Sequence, residues 1–271
     1  MTRILLVGCG KMGGALLAGW LEQGIVPSDA PLNAVIVDPH YDTEAGPAGV
    51  RSFSSPQDLP AGFVPDVVLL AVKPQAMSQV VPDYRRFAGT SVFLSIAAGR
   101  TIASLESLLG PDAAIVRAMP NTPAAVRRGA SGLFSNRNVS ANQRQTCDQL
   151  VAAVGHAVWV ERESLLDAVT AVSGSGPAYV FLLVEALAAA GENLGLPPDL
   201  AATLARATVT GSGELLQQSP LPAATLRENV TSPNGTTYAA LQVLMNDTDG
   251  LADLMRRATE AAARRAGELA G

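Results

Sequence analysis

The chain has 271 residues, 48% of them apolar and only 16% charged, with a formal charge of -5. That length can bury the core of one large domain or two ordinary ones, and the composition excludes a disordered chain. The acidic balance and the lack of a basic run exclude the positive footprint that nucleic acid requires. No stretch reaches about 18 uncharged apolar residues, so no membrane span is predicted. The N-terminus "MTRILLVGCG" lacks a signal-peptide pattern. Cys9 and Cys147 show neither metal spacing nor a disulfide framework. The expectation is a soluble cytoplasmic protein with no metal, no membrane contact and no nucleic-acid partner.

In chain order, short Val/Ile/Leu runs alternate with helix-like segments. "RILLVG" (3–8), "AVIVD" (34–38), "DVVLLAV" (66–72), "SVFLSIA" (91–97) and "AAIVRAM" (113–119) read as strands. They are apolar almost throughout, as strands buried on both faces should be. "MGGALLAGWLEQG" follows the first and "TIASLESLLG" the fourth, both helical in pattern. Alternation of this kind predicts an α/β fold: a Rossmann-type, doubly wound parallel sheet with right-handed crossovers. "SANQRQTCDQLVAAVG" predicts one more helix, and "HAVWVE" (156–161) a weaker strand. From residue 164 onward no strand is predicted. Ser164 with Asp167 three residues on resembles a capping box at the start of a helical domain. The predicted division is 1–163 for a dinucleotide-binding domain and 164–271 for an all-α domain.

Gly8-Cys9-Gly10-Lys11-Met12-Gly13 fits G-x-G-x-x-G directly after a strand and at the head of a helix. That context points to dinucleotide binding. Gly8 permits the tight turn, Gly10 lets pyrophosphate approach the backbone, and Gly13 lets helix and strand close up. The phosphates would then meet free N–H groups at the positive end of the helix. Asp38 ends the second strand, where a carboxylate accepts hydrogen bonds from ribose hydroxyls and repels a 2′-phosphate. It lies 38 − 10 = 28 residues after Gly10, against about 20 in the usual unit. Asp38 leans towards NADH, but His40 and Arg51 offer a 2′-phosphate some purchase, and this reading leaves NADPH or NADH open. "AVKP" (71–74) and "SIAAG" (95–99) lie at strand carboxyl ends, where ligands bind in open sheets.

"MPNTPA" (119–124), "VSGSGPAYVF" (172–181) and "VTSPNGTTYAAL" (230–241), together with "AVKP" and "SIAAG" in this order, resemble the pyrroline-5-carboxylate reductase family over essentially the whole chain. That family reduces 1-pyrroline-5-carboxylate to L-proline with NADPH or NADH. The resemblance implies a Rossmann domain, and a helical domain that forms homodimers and often larger rings. By motif it places the cofactor at Gly8, Gly10, Lys11, Met12, Ala71, Lys73, Pro74, Ala97, Ala98 and Gly99, with Asn121 and Pro123 near the nicotinamide. It places the substrate at Ser175, Gly176 and Pro177, where the helix should break, and at Ser232, Asn234, Gly235, Thr236 and Thr237. The hydroxyl of Thr237 is the implied catalytic group beside the ring nitrogen.

The chain departs from the family at Asn234, where glycine is usual, and at Asp38, which is atypical of NADPH-preferring members. His40 and His156 sit in no motif. No Ser–His–Asp set, metal cluster or carboxylate dyad is evident, which disfavours hydrolysis and suits hydride transfer governed by positioning. A β-hydroxyacid dehydrogenase would carry a lysine early in the helical domain; "SLLDAVTAVSGSGPA" has none. A dinucleotide-binding regulator would need no nest of donors such as "TSPNGTT".

Overall fold

The fold is described from a computed structural model, in which residues 2–27, 33–41, 47 and 49–270 are described. The chain divides into two compact units. One holds residues 1–174 with 262–271; the other holds 175–261. This division falls later than residue 163 and returns the end of the chain to the first unit.

In the first unit, β1 (Ile4–Val7) leads into α1 (Lys11–Glu22), followed by β2 (Ala34–Val37), β3 (Val50–Phe53) and β4 (Val67–Leu70). A short α2 (Met77–Val80), β5 (Val92–Ser95), α3 (Ile102–Leu109) and β6 (Ala114–Met119) come next. Then follow β7 (Gly129–Ser135), α4 (Ala141–Ala152), β8 (Gly155–Trp159) and α5 (Leu165–Val169). The eight strands form one sheet in the order β3-β2-β1-β4-β5-β6-β7-β8. It is parallel from β3 to β6; β7 runs antiparallel to β6, and β8 parallel to β7.

The uniform apolarity of the central strands has a direct cause: both faces are covered. Ile4 and Leu6 pack into one core with Leu16, Trp20 and Leu150, while Leu5 and Val7 pack into the other with Met77, Tyr84 and Leu105. Trp20 is fully buried, and its indole N–H donates to the Leu150 carbonyl at 2.8 Å, so a large apolar side chain is buried without orphaning its donor. Chain order reverses between β1 and β4, which opens a crevice at their carboxyl ends.

Three local readings need correction. β3 and β7 lie outside the strands read from the sequence. Ser164 is not a side-chain cap: its backbone is already helical and no capping hydrogen bond forms. The neighbouring Glu163 instead accepts from the Ile102 N–H at 2.7 Å and pairs with buried Arg117 at 2.6 Å. Nor does the chain leave helical geometry at "SGSGP". Residues Thr170–Gly174 form a widened π turn, Ser175 keeps helical angles, and Pro177 falls in the first turn of the next helix.

The second unit begins with α6 (Gly176–Asn193) and continues as α7 (Pro198–Gln218), α8 (Ala223–Asn229), α9 (Thr236–Leu244) and α10 (Leu251–Ala270), the last running on into the first unit. Gly195 (φ +94°) turns the chain between α6 and α7, and Gly191 lets the two helices close up on Ala201. Little of this unit is buried: only Ala201 and Ala205 among α7 residues, and none in α6, α8 or α9. Phe181, Leu182 and Val243 are 61%, 63% and 73% exposed. Within the helical run Leu165–Asn193 an 18-residue window reaches a mean hydropathy of 1.4, so the run is long and apolar enough to cross a membrane by length and composition alone.

Candidate active site

At the carboxyl end of β1, Gly8 (φ +86°) takes a conformation that costs an L side chain dearly, and an added Cβ would lie 2.9 Å from Val72 Cγ1. At Gly13 a Cβ would lie 2.7 Å from the Gly8 carbonyl oxygen, which is why helix and strand can close there. Gly10 differs: a Cβ there would meet nothing within 4 Å. Gly10 is also the N-cap of α1, has no side-chain capping bond, and is followed by no acidic residue in the first turn. Free N–H groups therefore face open space at a helix start, which is what a pyrophosphate needs. The residues fit a dinucleotide.

Gly8, Gly10, Asp38, Ala71 and Lys73 line one cavity of about 550 Å³, together with Pro39, His40, Asp83 and Tyr84. Half-buried Asp38 is fixed there: Oδ2 accepts from the Cys9 N–H at 2.7 Å and Oδ1 from the His40 N–H at 2.9 Å. The carboxylate thus ties the glycine loop to the end of β2. Burial, and secondly the Asp38 charge, push the Cys9 thiol up to about 11.

The segments around Ala71–Pro74 and Ala97–Gly99 are drawn together by a residue the motifs did not single out. Arg100 Nε donates to the Pro74 carbonyl at 3.0 Å, and its Nη2 donates to the same oxygen. Gly99 (φ +70°) has no room for a side chain, because a Cβ would stand 2.8 Å from the Leu269 carbonyl oxygen. Ala97, Ala98, Gly99, Lys11, Met12, Pro74, Asn121 and Pro123 lie outside the lining of the cavity that holds Asp38.

Asn121 is buried and its amide is occupied. Nδ2 donates to the Ser173 carbonyl (3.1 Å) and Oγ (3.2 Å), while Oδ1 accepts from the Ala130 N–H (2.8 Å). Ser173 Oγ in turn donates to the Ala130 carbonyl at 3.0 Å. Pro123 lies in the 3-10 turn that follows Asn121. Among the described residues no group of three or more His, Cys, Asp or Glu could hold a metal.

In the second unit, the substrate-loop residues gather at the head of α9. Asn234 has φ +57°, and the Gly235 N–H bonds the Ser232 carbonyl at 3.0 Å. Gly235 is the N-cap, and no side chain caps the helix. A side chain on Gly235 would collide with Ser232 Oγ. Thr231 Oγ1 serves the preceding helix, donating to the Arg227 carbonyl at 2.7 Å. Thr237 is half-buried, Ser232 and Asn234 exposed.

Residues 163–269 match the family described as pyrroline-5-carboxylate reductase dimerisation. Over 270 residues the chain is 42% identical to a pyrroline-5-carboxylate reductase of Pseudomonas aeruginosa, covering 99% of this chain and 97% of that one. The chain belongs to the pyrroline-5-carboxylate reductase family. Residues 3–99 also match the family described as NADP oxidoreductase, coenzyme F420-dependent. A solved pyrroline-5-carboxylate reductase from Coxiella burnetii superposes with a TM-score of 0.90 at 35% identity, over 100% of this chain and 99% of that one. The Plasmodium falciparum enzyme, solved with NADP bound, superposes at 0.81 with 29% identity, covering 100% and 98%.

Proposed function

We infer that this chain reduces the cyclic imine 1-pyrroline-5-carboxylate to L-proline with NADPH or NADH, the last step of proline synthesis. The observation that carries the reading is the head of α9. A nine-residue helix starts at a glycine with no side-chain cap, in a turn crowded with hydroxyls. The first-turn N–H groups of Thr236, Thr237 and Tyr238 have no partner within the helix, and an anionic carboxylate suits them. Asn234 and Gly235 shape that turn, Ser232 Oγ adds a donor, and Ser175, Gly176 and Pro177 complete the substrate's surroundings at the head of α6.

A bound reduced nicotinamide would supply the hydride, its C4–H bond breaking and the ring becoming oxidised as the new C–H bond forms at the imine carbon. The π electrons of C=N then settle on nitrogen, which keeps the proton the iminium brought, so no further acid is needed in that step. Thr237 Oγ accepts from that N–H and orients the ring. In the cofactor domain Gly8, Gly10, Lys11 and Met12 receive the pyrophosphate and Asp38 the ribose. Ala71, Lys73, Pro74, Ala97, Ala98 and Gly99 flank the nicotinamide half, with Pro123 beside it and Asn121 holding the local backbone.

We read the exposed apolar face of the helical domain as a homodimer surface, with a larger ring of such dimers, rather than a membrane span; on this reading the enzyme works in the cytoplasm. As a division of function, distinct from the compact units, we assign 1–163 to the cofactor and 164–271 to substrate and dimerisation. The test is spectrophotometric: purified chain and 1-pyrroline-5-carboxylate, with each reduced cofactor. Oxidation that depends on this substrate supports the reading, and none with either cofactor overturns it.

A further inference from the structure

We propose that Asp38 makes this chain an NADH-preferring enzyme, the carboxylate holding the adenosine ribose of NADH and rejecting the 2′-phosphate of NADPH. The inference rests on the function proposed above and deepens it. Asp38 stands at the end of β2 and lines the same cavity as Gly8 and Gly10, where the fold directs the ribose. Its two oxygens already accept from the Cys9 and His40 N–H groups. A carboxylate offers about four lone-pair positions, so two remain for the 2′- and 3′-hydroxyls. A 2′-phosphate would instead bring about two negative charges against a carboxylate pinned in place.

Of the basic side chains that could meet a 2′-phosphate, His40 lines the cavity and spends its backbone N–H on Asp38, while Lys73 and Arg51 start from other strands. In sequence, residues 38–49 contain no Lys or Arg. The cavity also carries Asp83. Lys73 follows β4, which lies on the far side of β1 from β2, so two strand spacings, about 10 Å, separate it from Asp38. Arg51 pairs in register with Val35 and stacks on Phe53 at 5.4 Å. Val35 is three residues short of Asp38, about 10 Å back along the strand. The Plasmodium relative was solved with NADP; the charges here argue for the opposite choice in this chain.

The test measures NAD+ and NADP+ binding to the whole protein by calorimetry, without substrate, and then kcat/KM with NADH and NADPH. Hydrogen bonds to a charged group are worth about 1.5–3 kcal/mol, so the expected preference for NAD+ is about 10–100-fold. Asp38→Asn should shrink that ratio about tenfold or more, and both affinities taken on one preparation cancel any inactive fraction. Equal or tighter binding of NADP+ to the wild type overturns the proposal, as does an unchanged ratio in D38N. NADPH-preferring turnover of 1-pyrroline-5-carboxylate would sink this inference alone. NAD+-preferring binding without turnover would sink the proposed reaction and leave this one standing.

Discussion

Removing the Asn121 side chain should damage the fold of the cofactor domain rather than cofactor affinity. Asn121→Ala deletes two bonds to Ser173 and strands the Ala130 N–H at the start of β7. At about 1 kcal/mol net per bond, the loss is about 3 kcal/mol. For a unit of this size that lowers Tm by roughly 6–12 °C. Asn121→Asp is the sharper variant. It keeps the acceptor for Ala130 but turns a second oxygen towards the Ser173 carbonyl, so acceptor faces acceptor and the loss should be no smaller. Ser173→Ala combined with Asn121→Ala should be less than additive, since the two share bonds. Thermal unfolding followed by circular dichroism measures all three, with dinucleotide calorimetry on the folded fraction. A Tm within about 2 °C of wild type, with binding lost, would refute this reasoning and put the amide on the nicotinamide, as the resemblance implies.

Gly132→Ala places a methyl 2.7 and 2.8 Å from the two Val169 methyls, at a cost of about 1–3 kcal/mol. Val169→Ala in the same chain should recover most of it, and a double variant as unstable as the single one would contradict the packing argument. Burial, followed by Asp148, raises the Cys147 thiol to about 12, and Cys9 is raised to about 11. A raised thiol pKa starves the thiolate below it, so native Cys9 should resist iodoacetamide at pH 8 and react about tenfold faster per pH unit above that, while urea-unfolded chain labels readily. Rapid native labelling at pH 8 would contradict the burial. Thr237→Ala should lower kcat by about 100-fold through lost positioning, with Tm unchanged, since its hydroxyl caps nothing in α9. Thr237→Ser should restore turnover, and an undiminished kcat in Thr237→Ala would remove the hydroxyl from the chemistry.

The parallel core strands were legible because burial on both faces leaves runs such as "RILLV" and "DVVLL" with almost no polar residue. β7 was hidden by the same packing that requires it. Its sequence "GASGLFS" looks like a loop, yet Gly132 is small because Val169 crowds it, and Gly129 because Val154 and Ala124 do. β3 is a half-exposed strand at the sheet edge, with Arg51 and Ser52 in place of an apolar run. The π turn at Thr170–Gly174 was read as a break because "SGSGP" is rich in breakers, although the flanking helices keep the backbone helical. In the site, Gly8, Gly10 and Gly13 follow from local geometry. Arg100 and Ser173 do not, because their partners lie 26 and 43 or more residues away and no spacing announces them.

The turn before α9 separates two explanations for the same letters. Ser and Thr ahead of a helix ordinarily mean a side-chain cap. Here the cap position belongs to Gly235, which has no side chain, and the Thr231 hydroxyl serves α8. Capping therefore accounts for none of the hydroxyls at Ser232, Thr236 and Thr237. Asn234 completes the argument from the backbone side. Its positive φ is a conformation Asn tolerates better than other side chains, so the turn keeps its shape without the usual glycine. Asn234→Gly should then leave activity intact and change stability by less than about 1 kcal/mol, whereas Gly235→Ala forces a methyl into Ser232 Oγ. Activity lost in Gly235→Ala but kept in Asn234→Gly is the pattern expected when the turn serves the carboxylate by its shape. Equal tolerance at both positions would reduce the stretch to a linker.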